Sequence, residues 1–188
     1  MNGLKVGRRG PLPPLACWIG LAILCPGCGH SAPRSDLVLS ENWESAEPSQ
    51  FLVPGEALAA WRGPEGSSLV IYRTLPAPGA TAESLAKDLA HRLTNLPELR
   101  VESVGFQKIG GRRAARVEAV APGTGDALAP SGLGKAIAPH GQTLIPTRRI
   151  NLGFPEPDGP IWFSWHFPES AKETIQPQVE AALATIDL

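Results

Sequence analysis

The chain has 188 residues, 17 Lys plus Arg against 18 Asp plus Glu, and a formal net charge of −1. That balance leaves no basic footprint for nucleic acid, and the length suits one domain with an ordinary hydrophobic core. The 20 glycines and 20 prolines follow no fixed period, which excludes a collagen-like chain or a solenoid.

Lys5, Arg8 and Arg9, with no acidic neighbour, precede an apolar run at residues 15–24, the pattern of an export signal. Its core of about 10 apolar residues, bounded by Pro14 and Pro26, falls short of the roughly 20 a bilayer-spanning helix needs. Arg8-Arg9 invites a twin-arginine reading, against which stand Gly10 and Pro11. The run Leu24-Cys25-Pro26-Gly27-Cys28 resembles the lipobox of bacterial lipoproteins: Leu24, Gly27 and Cys28 match, while Cys25 and Pro26 depart from it. The resemblance implies diacylglyceryl transfer to the Cys28 thiol and cleavage before it, making 1–27 a signal peptide and 28–36 a flexible tether. An ordinary secretory signal with an incidental cysteine is the alternative. Of the three cysteines, Cys17, Cys25 and Cys28, only Cys28 would survive cleavage, so no internal disulfide and no thiolate metal site is expected. Gly29, in place of the aspartate linked to inner-membrane retention, favours the outer membrane.

Residues 37–188 read as a single α+β domain. Leu37-Val38-Leu39 and Trp43 form the first packed segment, and 51–55 and 57–62 read as short apolar strands around a Pro-Gly turn. Residues 67–75 are apolar on both faces, as a mid-sheet strand requires. Thr81 caps a helix whose Leu85, Leu89, Leu93 and Leu96 share one stripe ending before Pro97, leaving His91 on the solvated side. Residues 100–108 and 112–121 form a hairpin around Gly110-Gly111, with a wet face at Arg116 and Glu118. Residues 122–142, rich in Gly, Ala and Pro, read as a flexible loop. Two further strands, 143–154 and 161–167, share an apolar face of Ile150, Leu152, Phe154, Ile161, Phe163, Trp165 and Phe167 that helices must cover. Residues 169–187 carry Ile175, Val179, Leu183 and Ile186 on a helical stripe, with Pro177 expected to kink the helix or start a second segment.

If Phe154 faces Ile161, Arg149 falls opposite His166, Asn151 opposite Ser164, and Gly153 opposite Trp162. Arg149, Asn151, Trp162, Ser164 and His166 are then a candidate ligand patch on the face away from the apolar set, or simply the wetter face of an antiparallel sheet, or a face covered by another element with these groups satisfied. Catalytic templates fail: there is no H-E-x-x-H motif, no G-x-S-x-G elbow and no His/Cys cluster, and Gly132-Leu133-Gly134-Lys135 lacks the flanking residues of a phosphate loop. No cofactor, no metal and no catalytic set is expected.

The strand around 69–73, the helix capped by Thr81, the turn Ile109-Gly110-Gly111-Arg112-Arg113-Ala114-Ala115, and two strands followed by a terminal helix resemble the PsbP/Mog1/DcrB-like domains over about residues 37–188. The resemblance implies an antiparallel sheet of about six strands flanked by two main helices, used as a non-enzymatic binding or assembly module of envelope lipoproteins. The expected partners are a membrane, through the lipid anchor, and an envelope protein. The alternative is an envelope hydrolase or transferase using His166, Arg149 and Ser164.

Overall fold

The computed structural model describes residues 37–96, 98–121 and 145–186. The export segment, Cys28, the tether and the expected 122–142 loop lie outside the described residues. In chain order the elements are β1 (Glu44–Ala46), β2 (Glu56–Arg62), β3 (Ser68–Arg73), α1 (Ala82–Thr94), β4 (Arg100–Ile109), β5 (Arg112–Ala121), β6 (Thr147–Phe154), β7 (Ile161–Pro168) and α2 (Lys172–Leu183). The fold is α+β, with seven strands where about six were expected. They form one antiparallel sheet in the order β1-β2-β3-β7-β6-β5-β4.

Alternation sorts the side chains onto two faces. One face carries Ile150, Leu152, Phe154, Phe163, Trp165 and Phe167, and α2 covers it with Ile175, Val179 and Leu183. Leu37, Leu39 and Trp43 pack into the same cluster, and Trp43 Nε1 donates to Gln178 Oε1 at 3.0 Å. The other face carries Val70, Tyr72, Ala115, Val117, Ala119 and Trp162 beneath Leu85, Ala86 and Leu93 of α1. With a helix on each face, β6 is buried at every position and β7 at all but its last. Burial on both sides is why these central strands lack a clean polar alternation.

Local signals account for most boundaries. Thr81 accepts from the Ser84 amide, and Ser84 Oγ accepts from the Thr81 amide, a reciprocal cap at the start of α1. Gly110 and Gly111, at φ 54° and 80°, make the turn between β4 and β5. Leu37 and Leu39 do pack with Trp43 as the first packed segment, outside the sheet. Three expectations are corrected. Residues 51–55 form no strand but an irregular segment between a 3-10 turn at Pro48–Gln50 and β2, and the first strand is instead β1. α2 continues through Pro177 without a restart; the single turn of 3-10 helix lies earlier, at Glu169–Ala171. The face of Arg116 and Glu118 is not wet, because Arg116 pairs with Glu118 at 2.8 Å and with Glu180 of α2 at 2.7 Å.

Candidate functional site

The register of β6 and β7 is the one expected: Arg149 opposite His166, Asn151 opposite Ser164, Gly153 opposite Trp162 and Phe154 opposite Ile161. The structure therefore brings all five patch residues onto one face. It does not leave them on a surface. Their exposures run from 1% for Trp162 to 8% for Arg149, because this is the α1 side of the sheet and Trp162 belongs to its apolar cluster. The indole lies across Gly153, where a Cβ would come within 2.6 Å of the ring; only glycine permits that approach.

Buried polar groups need partners. Asn151 Nδ2 donates to the Val117 carbonyl at 3.3 Å, which turns Oδ1 toward Ser164. Ser164 Oγ lies 2.7 Å from that Oδ1 and 2.8 Å from His166 Nε2. A hydroxyl has one proton and an amide oxygen only accepts, so Ser164 donates to Asn151 and accepts from His166 Nε2–H. The proton order is the reverse of the one that activates a serine nucleophile, where the imidazole takes the hydroxyl proton. The hydrolase expectation thus finds its residues adjacent but oriented as a structural network.

Burial, reinforced by the Arg149 charge, pushes His166 down to about 3 from its ordinary 6.5. The folded chain holds the ring neutral while the unfolded chain protonates it below 6.5. This contribution to stability is complete above pH 6.5 and is lost as the pH falls toward 3, at up to about 1.4 kcal/mol per pH unit. His166→Gln should flatten the pH dependence of the unfolding free energy between about pH 6 and 4, measured by urea denaturation. An unchanged slope would mean that the ring protonates freely in the folded state.

Arg149 is the exception to this satisfaction. Its Nε is enclosed and has no hydrogen-bond partner, and it forms no ion pair among the described residues. Burial disfavours its charge. Tyr72, opposite Trp162 on β3, is pushed up to about 12 by burial, against the opposing pull of Arg92 and Arg149. Arg149→Met, which keeps the volume and removes the uncompensated charge, should raise the unfolding free energy by about 1–3 kcal/mol. A loss of stability on thermal or urea unfolding would show the charge to be compensated.

No family model and no curated protein sequence matches the chain. Its structure is similar to the solution structure of cyanobacterial PsbP (CyanoP) from Synechocystis sp. PCC 6803, with a TM-score of 0.53 and 12% identity, covering 86% of this chain and 97% of that one. The fold is PsbP-like. Two further structures lie at lower TM-scores. LpqN of Mycobacterium tuberculosis, described as involved in cell envelope biogenesis, gives 0.47 at 13% identity over 84% of this chain and 87% of its own. The Pseudomonas aeruginosa protein PA94, of unknown function, gives 0.46 at 14% identity over 82% and 86%.

On the PsbP-like sheet, two residues join the patch that sequence reasoning did not single out. Tyr72 is the chain's one tyrosine, and Arg92 lies on α1 with its charge felt at Tyr72. Their signal was present but weak: a lone tyrosine at the end of the apolar run Leu69-Val70-Ile71 in a central strand, and an arginine one residue before the stripe position Leu93. Among the described residues, no group of His, Cys, Asp and Glu could hold a metal ion.

Proposed function

We propose that this chain is a bacterial envelope lipoprotein anchored through Cys28, whose PsbP-like domain serves as a non-enzymatic binding or assembly module for an envelope protein partner. The observation that carries the reading is the run Leu24-Cys25-Pro26-Gly27-Cys28 behind a short apolar stretch. An acyl chain buries methylenes worth about 0.8 kcal/mol each, so the two or more chains of a lipidated cysteine would hold the domain firmly at a membrane. The proton order through Ser164 supports the non-enzymatic half of the reading, since it leaves no activated nucleophile in the patch. Gly29 after the cysteine supports the outer membrane.

Native mass spectrometry of protein extracted from its own membranes tests both halves. The expected result is a lipid-modified mass at Cys28 with a discrete bound partner, and release of Cys28→Ser into the soluble fraction. An unmodified cysteine and an adduct-free mass would overturn the proposal.

A further inference from the structure

An open sheet ends in two strands whose outer amides and carbonyls have no partner within it, and proteins keep such edges short, charged or covered. The edge at β1 is only three residues long. The other edge, β4, runs for ten residues, and among the described residues no strand pairs with its outer side. Arg100 and Glu102 stand at one end of it, beside a bulge between Val101 and Ser103, and Lys108 stands near the other. Between them, Ser103-Val104-Gly105-Phe106-Gln107 carries no charge. Val104 is 48% exposed and Phe106 44%, so the longest edge of the sheet presents apolar side chains in its uncharged middle.

The hairpin decides which backbone groups of β4 point outward. Gly110 and Gly111 make a two-residue loop at positive φ, so the flanking pair Ile109 and Arg112 exchanges both of its hydrogen bonds. Alternation then turns the amides and carbonyls of Gln107 and Gly105 toward β5, and those of Lys108, Phe106 and Val104 away from the sheet. Val104 and Phe106 stand opposite Val117 and Ala115, which lie on the α1 face, so both project to that face. The Arg113 guanidinium sits 4.2 Å from the centre of the Phe106 ring and pairs with Glu83 at 2.6 Å. That contact fixes the ring from the β5 side without covering it.

We propose that β4 pairs with β4 of a second copy of this chain, antiparallel across a two-fold axis at Gly105, joining two seven-stranded sheets into one. The segment's own symmetry selects this occupant. Outward from Gly105 in either direction it runs apolar at Val104 and Phe106, hydrogen-bonding at Ser103 and Gln107, and oppositely charged at Glu102 and Lys108. A two-fold axis at Gly105 therefore sets Val104 of each copy against Phe106 of the other and Ser103 against Gln107. It also brings Lys108 of each toward the bulge that carries Glu102 of the other. Because Val104 and Phe106 are outward-facing, the same pairs exchange the backbone hydrogen bonds, while the Gly105 residues meet at the axis with Cα atoms about 4.5 Å apart. The neighbouring registers are worse: one opposes Phe106 to Glu102, the other Val104 to Lys108. The contact is self-complementary and closes as a dimer. It goes beyond the anchored binding module proposed above and does not rest on it.

Sedimentation equilibrium of the purified full chain, with Cys17→Ser, Cys25→Ser and Cys28→Ser to exclude lipid and native thiols, tests the pairing. The expected result is a reversible monomer–dimer equilibrium that Phe106→Lys and Val104→Glu, each at an exposed position, weaken about tenfold or more without shifting the urea midpoint. Mixing those two variant chains should restore association, since the introduced charges, opposite in sign, then face each other while Val104 and Phe106 of the other pair remain. Gly105→Cys adds a check on register. A Cβ there meets nothing within 4 Å, and mild oxidation should link two copies through it, whereas Ser103→Cys, about 13 Å from its own counterpart, should not link. A monomer at every concentration, a dimer indifferent to Phe106→Lys, or a mixture no tighter than its components would overturn the proposal; the monomeric result includes the case in which a different protein's strand takes this edge. With Cys28 absent from the test, its failure and failure of the anchor reading are distinguishable.

Discussion

Trp165→Ala should lower the unfolding free energy by about 3–5 kcal/mol, the largest effect of any single truncation here. Trp165 is fully buried in β7, between Leu69 of β3 and Ile150 of β6. Its ring stacks on Phe163 at 6.1 Å between centroids, and Phe163 meets Phe154 edge-on at 5.6 Å. Removing the indole opens a cavity under α2 that strands held on both sides cannot close. The conservative change separates size from chemistry. Trp165 Nε1 is buried without a hydrogen-bond partner among the described residues, so Trp165→Phe loses apolar area and also removes an unsatisfied donor, and should cost only about 1 kcal/mol. Urea midpoints at unchanged m report both. A loss below about 1 kcal/mol for the alanine variant would contradict the packing described.

The second large effect is electrostatic. Arg148 donates from Nε and Nη2 to Glu169 at 2.8 Å each, from Nη2 to Glu102 at 2.7 Å and from Nη1 to Glu118 at 3.3 Å. One guanidinium thereby ties β6 to β4, β5 and the turn before α2, and these hydrogen bonds raise its own pKa. Arg148→Met leaves Glu169 without an ion-pair partner among the described residues, and leaves Glu102 with Arg100 and Glu118 with Arg116 alone, and should cost about 3 kcal/mol at neutral pH. The pH dependence has a definite sign. Its hydrogen bond to Arg148 lowers the Glu102 carboxyl below its ordinary 4.5, so that stabilisation is present above 4.5 and lost as the pH falls through the lowered value. In the variant the carboxylates that lost Arg148, Glu169 above all, gain by protonation instead. The gap between wild type and Arg148→Met should therefore narrow on acidification; a gap constant from pH 7 to pH 3 (range approximate, ~1 unit) would exclude the ion-pair account.

The turn chemistry and the β6–β7 register were legible because they rest on local rules: two glycines at positive φ, a Thr81 cap, and a strict alternation of Ile150, Leu152 and Phe154. For Arg149, Asn151, Ser164 and His166 the sequence left open whether their face is wet or covered. Polar residues at alternate positions of a strand look like a wet face, and only the pairing of β5 with β6, which sets Asn151 beside Val117 and Arg149 beside Ala119, places them inside. The apolar side of β5 already held that information, but using it required knowing which strands are neighbours. The ion pairs that cover Arg116 depend likewise on where Glu180 of α2 comes to rest. Tertiary placement of this kind leaves no trace in periodicity.

The pairing of β3 with β7 has a consequence for how the chain reaches this state. Leu69 and Trp165 stand side by side although well over half of the domain separates them along the chain. As synthesis proceeds from the N-terminus, β3 keeps an unpaired edge until the last hairpin is complete, and the centre of the sheet forms only after that long loop is closed. Such a topology folds slowly and exposes apolar strand surface meanwhile. Refolding should then occur as a late cooperative step that gathers both ends of the domain at once, and a chain truncated before β7 should have no stable sub-structure among β1, β2 and β3.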